Sequence, residues 1–157
     1  MALSSTAQRV QDLLTSRGFD CKVIEFAEST RTSQEAADRA GCTLGQIAKS
    51  MIFKGMTTHA AILVLTSGAN RVDEKRIGQY AGEPIGRADA DFVRSATGFA
   101  IGGVPPLGHA QPLKTYMDED LTQHATVWAA AGTPNAIFEL TPRALQEMTG
   151  ATIVRVK

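Results

Sequence analysis

The residues best suited to chemistry on a polarised oxygen lie in the run Gly98-Phe99-Ala100-Ile101-Gly102-Gly103-Val104-Pro105-Pro106-Leu107-Gly108-His109. Glycine has no Cβ, so a backbone that reaches Gly102-Gly103 can bring bare N–H groups close to a ligand. Pro105 and Pro106 then fix φ and stiffen the segment that follows. A rigid loop of this kind can direct amide donors at a developing oxyanion or a phosphate oxygen. The same residues also suit a plain turn after a strand, and spacing alone does not separate the two readings.

Lys49 is the second candidate. It sits in Gln46-Ile47-Ala48-Lys49-Ser50-Met51-Ile52-Phe53-Lys54. Side chains alternate along a strand, so Lys49, Met51 and Phe53 share one face and Ala48, Ser50 and Ile52 the other. A lysine beside Met51 and Phe53 either snorkels to water at the strand's mouth or projects into a pocket that takes an anionic or polar group. A second small-residue segment, Ala129-Ala130-Ala131-Gly132-Thr133-Pro134-Asn135, can leave room for a ligand or simply connect two strands. His109 follows the proline pair and could hydrogen-bond within the same site.

Other chemistries lack their residues. No His, Cys, Asp and Glu cluster has metal-ligand spacing, and no metal or cofactor is expected. There is no Gly-x-Ser-x-Gly elbow, no P-loop and no dinucleotide fingerprint in a strand-to-helix context. Cys21 and Cys42 lack an evident activating base and read as free thiols.

The chain that must position these groups has 157 residues, enough for one domain with a substantial core. Sixteen basic residues balance sixteen acidic ones. That balance argues against broad non-specific nucleic-acid binding, which depends on phosphate neutralisation, but leaves room for a local basic patch. No stretch has the length of a membrane span. The start, Met1-Ala2-Leu3-Ser4-Ser5-Thr6, lacks the pattern of a secretory leader, so a reducing cytoplasmic setting is expected.

Patterning predicts alternating helices and strands. Ala7, Val10, Leu13 and Leu14 recur at helical spacing up to Gly18. Cys21–Phe26 reads as a strand. Thr32-Ser33-Gln34-Glu35 has the form of a capping box and opens a helix that stops at Gly41. Strands are expected over 48–54 and 60–66, the second buried on both faces because Ile62–Leu65 is an unbroken apolar run. Helices follow over 73–81, with Ile77, Tyr80 and Ala81 inward, and over 90–96 behind Asp89. Further strands are expected over 98–103, 112–117, 126–131, 136–140 and 152–156. A short helix follows Asp118, and a last helix starts with Thr141-Pro142. The result is a single α/β domain over 1–157 with a mixed, curved sheet flanked by helices.

Several of these segments occur in one order: Thr32–Ala37, Gln46–Lys49, Gly102–Gly108 and Ala131–Gly132. In that order and spacing the chain resembles the YbaK/prolyl-tRNA-synthetase-associated editing domains, and the likeness runs from the first helix to the final strand. The resemblance implies a free-standing aminoacyl-tRNA deacylase that acts on mischarged tRNA, mostly tRNA-Pro, and that could dock on prolyl-tRNA synthetase. It assigns Lys49 to the family's central lysine, and Gly102 and Pro106 to the ends of its Gly-x-x-x-Pro loop. Lys49 and Gly102 are thereby the expected catalytic positions. Gly103, Val104, Pro105, Pro106, His109, Ala131, Gly132 and Thr133 are the expected substrate-binding positions. Ala130 and Ile137 stand where cysteine-editing members carry Ser and Asp, and Pro105 stands where relatives often carry Ser or Thr. Those departures point to alanine or another small aliphatic substrate. A non-catalytic aminoacyl- or nucleotide-binding module, or a synthetase-docking module, is the alternative.

Overall fold

A computed structural model describes residues 2–157; Met1, part of the segment read for a leader, lies outside them. The described residues form five α-helices and eight strands: α1 (Ser5–Ser16), β1 (Val23–Glu25), α2 (Ser33–Ala40), β2 (Ile47–Gly55), β3 (Ala61–Ser67), α3 (Glu74–Ala81), β4 (Ile85–Arg87), α4 (Ala90–Thr97), β5 (Lys114–Asp118), β6 (Val127–Ala130), β7 (Ala136–Leu140), α5 (Pro142–Thr149) and β8 (Thr152–Val154). One mixed sheet holds every strand, in the order β1-β7-β6-β2-β3-β5-β8, with β4 paired to β2. No helix among the described residues is long and apolar enough to cross a membrane.

Local chemistry accounts for the element ends. The Thr32 hydroxyl accepts from the Glu35 N–H at 3.1 Å, and the Glu35 carboxylate accepts from the Thr32 N–H at 3.2 Å, so the capping box closes as the spacing predicts. Asp73, Asp89 and Thr141 each cap the helix that follows them, and Pro142 stands in the first turn of α5, where its missing N–H costs nothing.

The strand period of two divides the core between the faces of the sheet. Ala48, Ile52, Leu63 and Leu65 pack with α1, α4 and α5 on one face. Phe53, Ile62 and Val64 pack with Ile77 of α3 on the other, where Ile47 and Ile137 also meet Ala36 and Ala37 of α2. β3 is buried along its whole length, as its unbroken apolar run requires. Each such leucine or valine contributes about 1.5–3 kcal/mol of transfer free energy.

Three expectations change. Residues 98–103 form no strand. Gly98 adopts φ 83° and closes α4, Phe99 plugs the core, and the Gly103 N–H bonds the Ala100 carbonyl at 3.1 Å to make a turn. Tyr80 does not point inward: it is 39 % exposed and its hydroxyl donates to the Arg155 carbonyl. β4, the three residues that directly follow Pro84, carries no strand signal in the sequence pattern.

That short strand has a large consequence. One edge of β2 pairs with β3 from Ala48 to Lys54. The other edge is shared: β6 pairs in parallel at Ile47 and Ala48, and β4 pairs antiparallel from Phe53 to Gly55. Among the described residues no strand covers this edge from Lys49 to Ile52. The Ile47 carbonyl and the Gly55 N–H face the β3 side, and the Met56 N–H faces the β4 side. Backbone groups alternate between edges, so Ser50 and Ile52 direct their N–H and C=O groups into the split.

Candidate active site

A cavity of about 520 Å³ occupies that split. It is lined by β2 from Ile47 to Phe53, by residues of both strand faces, because the sheet is open there. Thr30 to Ser33 at the start of α2, Arg71 and Val72 ahead of α3, Glu74 at its first turn, Arg87 at the end of β4 with Ala88 behind it, and Ala129 and Ala130 of β6 join the wall with Ile101, Gly102 and Val104. Lys49 and Gly102, distant in sequence, face one space.

The loop from Ala100 to Val104 is held in one shape. Gly102 has φ 94°, which a β-carbon disfavours, and an added Cβ would stand 2.6 Å from Arg31 Cγ. The Gly103 N–H closes the turn and is therefore not a free donor, which corrects the expectation that the Gly102-Gly103 pair presents bare N–H groups to a ligand. Gly102 and Val104 keep amides that make no backbone hydrogen bond in this loop.

Gly103 is where two loops touch. Its carbonyl accepts from the Gly132 N–H at 2.8 Å, and a Cβ on Gly103 would meet the Thr133 backbone at 2.9 Å. Gly132 itself, at φ 99°, lies against Thr6, Val10 and the Phe99 ring. Ala131, Gly132 and Thr133 therefore stand behind the site and not on its wall; the wall places of that segment belong to Ala129, Ala130 and Ile137. Further on, the Pro134 carbonyl accepts from the Thr30 N–H at 2.7 Å. The second glycine loop thus buttresses two walls at once, the 102–104 loop and the start of α2. The Thr133 hydroxyl also donates to Glu25 at 3.1 Å. Burial opposes ionisation of Glu25, but donors from the Ser4 N–H, the Ser4 hydroxyl and Thr133 outweigh it and hold this carboxyl below its ordinary range.

Pro105, Pro106 and His109 likewise lie outside the lining. Both prolines are buried. His109 Nε2 donates to the Pro105 carbonyl at 2.7 Å and fixes the loop from behind. Burial pushes the imidazole below its ordinary value of 6.5; Arg17 adds to this and the Pro105 carbonyl opposes it. A depressed histidine favours the folded state when neutral. Its contribution is complete above 6.5 and is lost as acidification carries the pH down towards the folded value. Thermal melts between about pH 8 and about pH 5 are expected to fall on the acid side, and His109→Gln to flatten that fall above the carboxylate range. Equal acid sensitivity in the variant would remove His109 as the cause.

Sequence spacing missed much of the site. Arg31, Arg71 and Arg87 come from three separate segments and join Lys49 on the lining, with Glu74 the one carboxylate among the lining residues. None of these five side chains forms an ion pair among the described residues. A chain of zero formal charge thus concentrates positive charge at one mouth. Ser33 Oγ and Ser50 Oγ are buried on the lining without a hydrogen-bond partner in the protein, and each can bond a guest. No group of three or more His, Cys, Asp and Glu among the described residues could hold a metal.

Comparison with known proteins places this geometry. The profile described as "Aminoacyl-tRNA editing domain" matches residues 27–148. A solved structure described as "a putative trans-editing enzyme for prolyl tRNA synthetase" superposes with a TM-score of 0.93 at 48 % identity, covering 99 % of each chain. The "Uncharacterized protein YwhH" of Bacillus subtilis (strain 168) is 36 % identical over 127 residues, covering 81 % of this chain and 80 % of that one. The "Putative Cys-tRNA(Pro)/Cys-tRNA(Cys) deacylase EbsC" of Enterococcus faecalis (strain ATCC 700802 / V583) is 25 % identical over 138 residues, covering 86 % and 84 %. The profile spans most of the chain, including the start of α2, all of β2 and both glycine loops, and on that extent the chain belongs to the aminoacyl-tRNA editing domain family.

Proposed function

We propose that this protein removes a small mischarged amino acid, of the alanine or cysteine class, from tRNA-Pro by hydrolysing the ester to the terminal ribose. As a member of the editing family it is an aminoacyl-tRNA deacylase; the amino acid and the tRNA are the proposal. The observation that carries it is the shared cavity of Lys49 and the Gly102–Val104 loop. The methyl walls of Ala36, Ala129 and Ala130 with Ile137 favour a small aliphatic side chain over a polar one. Hydrophobic pockets separate substrates that differ by one methylene by only about 1–3 kcal/mol, which is why a second, hydrolytic site after charging is useful.

Water attacks the ester carbonyl and forms a tetrahedral oxyanion. The Gly102 and Val104 amides are the free donors of the loop, and a well-placed donor of this kind contributes about 3–4 kcal/mol. Lys49 holds the neighbouring ribose or phosphate, or adds positive charge near the carbonyl. The ribose oxygen leaves with a proton, and the free hydroxyl of the same ribose relays a proton from the attacking water. The cytoplasm, where tRNAs are charged, is the proposed place of action, and docking on prolyl-tRNA synthetase would bring substrate directly from the site of mischarging.

The test is incubation with alanyl-, cysteinyl- and seryl-tRNA-Pro. Release of alanine or cysteine supports the reading; protection of all three esters would instead make the protein a binding module. The cationic mouth adds a second expectation. Each phosphate contact on single-stranded RNA contributes a slope of about −0.7 in log affinity against log salt, so three arginines give a slope of about −2. Replacing Arg31, Arg71 and Arg87 together with alanine is expected to raise KM and flatten that slope. An unchanged salt dependence would place the RNA backbone elsewhere.

A further inference from the structure

Trp128 has no part in the hydrolysis above, yet it lines the same cavity. It is half-buried, whereas Phe53, the other aromatic residue of the lining, is 3 % exposed and belongs to the core. The indole packs against the cluster of Ala36, Ala37, Ile47 and Ile137. Parallel pairing sets Trp128 beside Ile47, so it projects from the same face of the sheet as Ile47 and Lys49. A supported indole therefore lies on the same face of the sheet as Lys49, in the cavity that Arg31, Arg71 and Arg87 also line. The cavity's 520 Å³ also far exceeds what one small aliphatic side chain needs, and lies in the range that holds a drug-sized ligand.

We propose that Trp128 is the stacking platform for the terminal adenine of the tRNA 3′ end. The inference rests on the deacylase reading and names the part of the substrate that fills the rest of the cavity. Stacking on an aromatic ring is sequence-tolerant, but geometry selects which base reaches it. The amino acid reaches the 102–104 loop, the adenine lies on the indole, and the preceding phosphates face the arginines. Trp128 is then a positioning residue: it sets the ester against the loop amides and takes no part in bond breaking.

Trp128 is the single tryptophan of the chain, so its fluorescence reports on the site directly. An uncharged RNA microhelix ending in CCA is expected to quench it saturably, and the same microhelix ending in CC to quench it far less. Trp128→Leu is expected to raise KM for aminoacyl-tRNA by about 5- to 150-fold with kcat little changed, and Trp128→Phe to recover most of the loss. Thermal melts of both variants separate misfolding from lost stacking. An absence of quenching at RNA concentrations that saturate deacylation would overturn the proposal, as would equal quenching by both microhelices; the deacylase reading would survive either result. Quenching specific to CCA by a protein that cleaves no ester would keep the adenine site and defeat the deacylase reading.

Discussion

Replacing Lys49 with alanine is expected to lower single-turnover deacylation by about 100- to 1,000-fold, the range seen when one preorganised charge-stabilising donor is removed from an active site. The fold is expected to survive unchanged. Lys49 is exposed, lies outside the hydrophobic clusters and makes no ion pair among the described residues, so its removal forfeits no native contact of consequence. The melting temperature should therefore hold. Arginine at this position keeps the charge but spreads it over a planar fork, and partial activity is expected. Full activity in Lys49→Ala would remove this residue from the mechanism. Loss of activity together with a large drop in melting temperature would make its role structural.

Gly102→Ala is expected to reduce turnover by about 100-fold, and its cause can be separated into two parts. At φ 94° a β-carbon is strained, a cost of about 1–3 kcal/mol for a non-glycine residue. The same carbon would stand 2.6 Å from Arg31 Cγ, near the root of that side chain, so Arg31 or the loop must move. Displacing a reacting group by about 1 Å can cost on the order of 100-fold in rate. Combining Gly102→Ala with Arg31→Ala removes the collision and keeps the strain. Recovery of rate in the double variant, relative to Arg31→Ala alone, assigns the damage to the collision; no recovery assigns it to the loop backbone. A wild-type rate in Gly102→Ala would mean that this loop is only a turn.

What the sequence made legible were features set by neighbours in the chain. The Thr32–Glu35 box is a four-residue device, and it closes as read. The helix-closing Gly41 likewise acts through its own φ of 72°, and the burial of β3 follows from its own composition. Lys49 was legible as a candidate because a lone cation among Met51 and Phe53 conflicts with the pattern around it. The site's remaining parts depend on long-range placement. Gly98 looked like the start of a strand, but it caps α4, because a helix end and a strand start use the same small residue. Gly132 looked like a pocket wall, but its contacts with Gly103, Val10 and Phe99 put it behind one. The split edge of β2 exists only because a three-residue strand pairs beside it. No spacing rule unites Arg31, Arg71, Arg87 and Trp128; they converge because that split draws four segments to one mouth.

The proposed hydrolysis depends on a single arrangement, in which the ester carbonyl lies against the free amides of the 102–104 loop with Lys49 alongside. A crystal structure with a stable 3′-alanylamino adenosine analogue, whose amide replaces the scissile ester, tests this most directly. The predicted result is the analogue's carbonyl oxygen within hydrogen-bond distance of the Gly102 or Val104 N–H, and Lys49 Nζ against its ribose or phosphate side. An analogue seated outside this cavity, or one whose carbonyl points away from that loop, would contradict it.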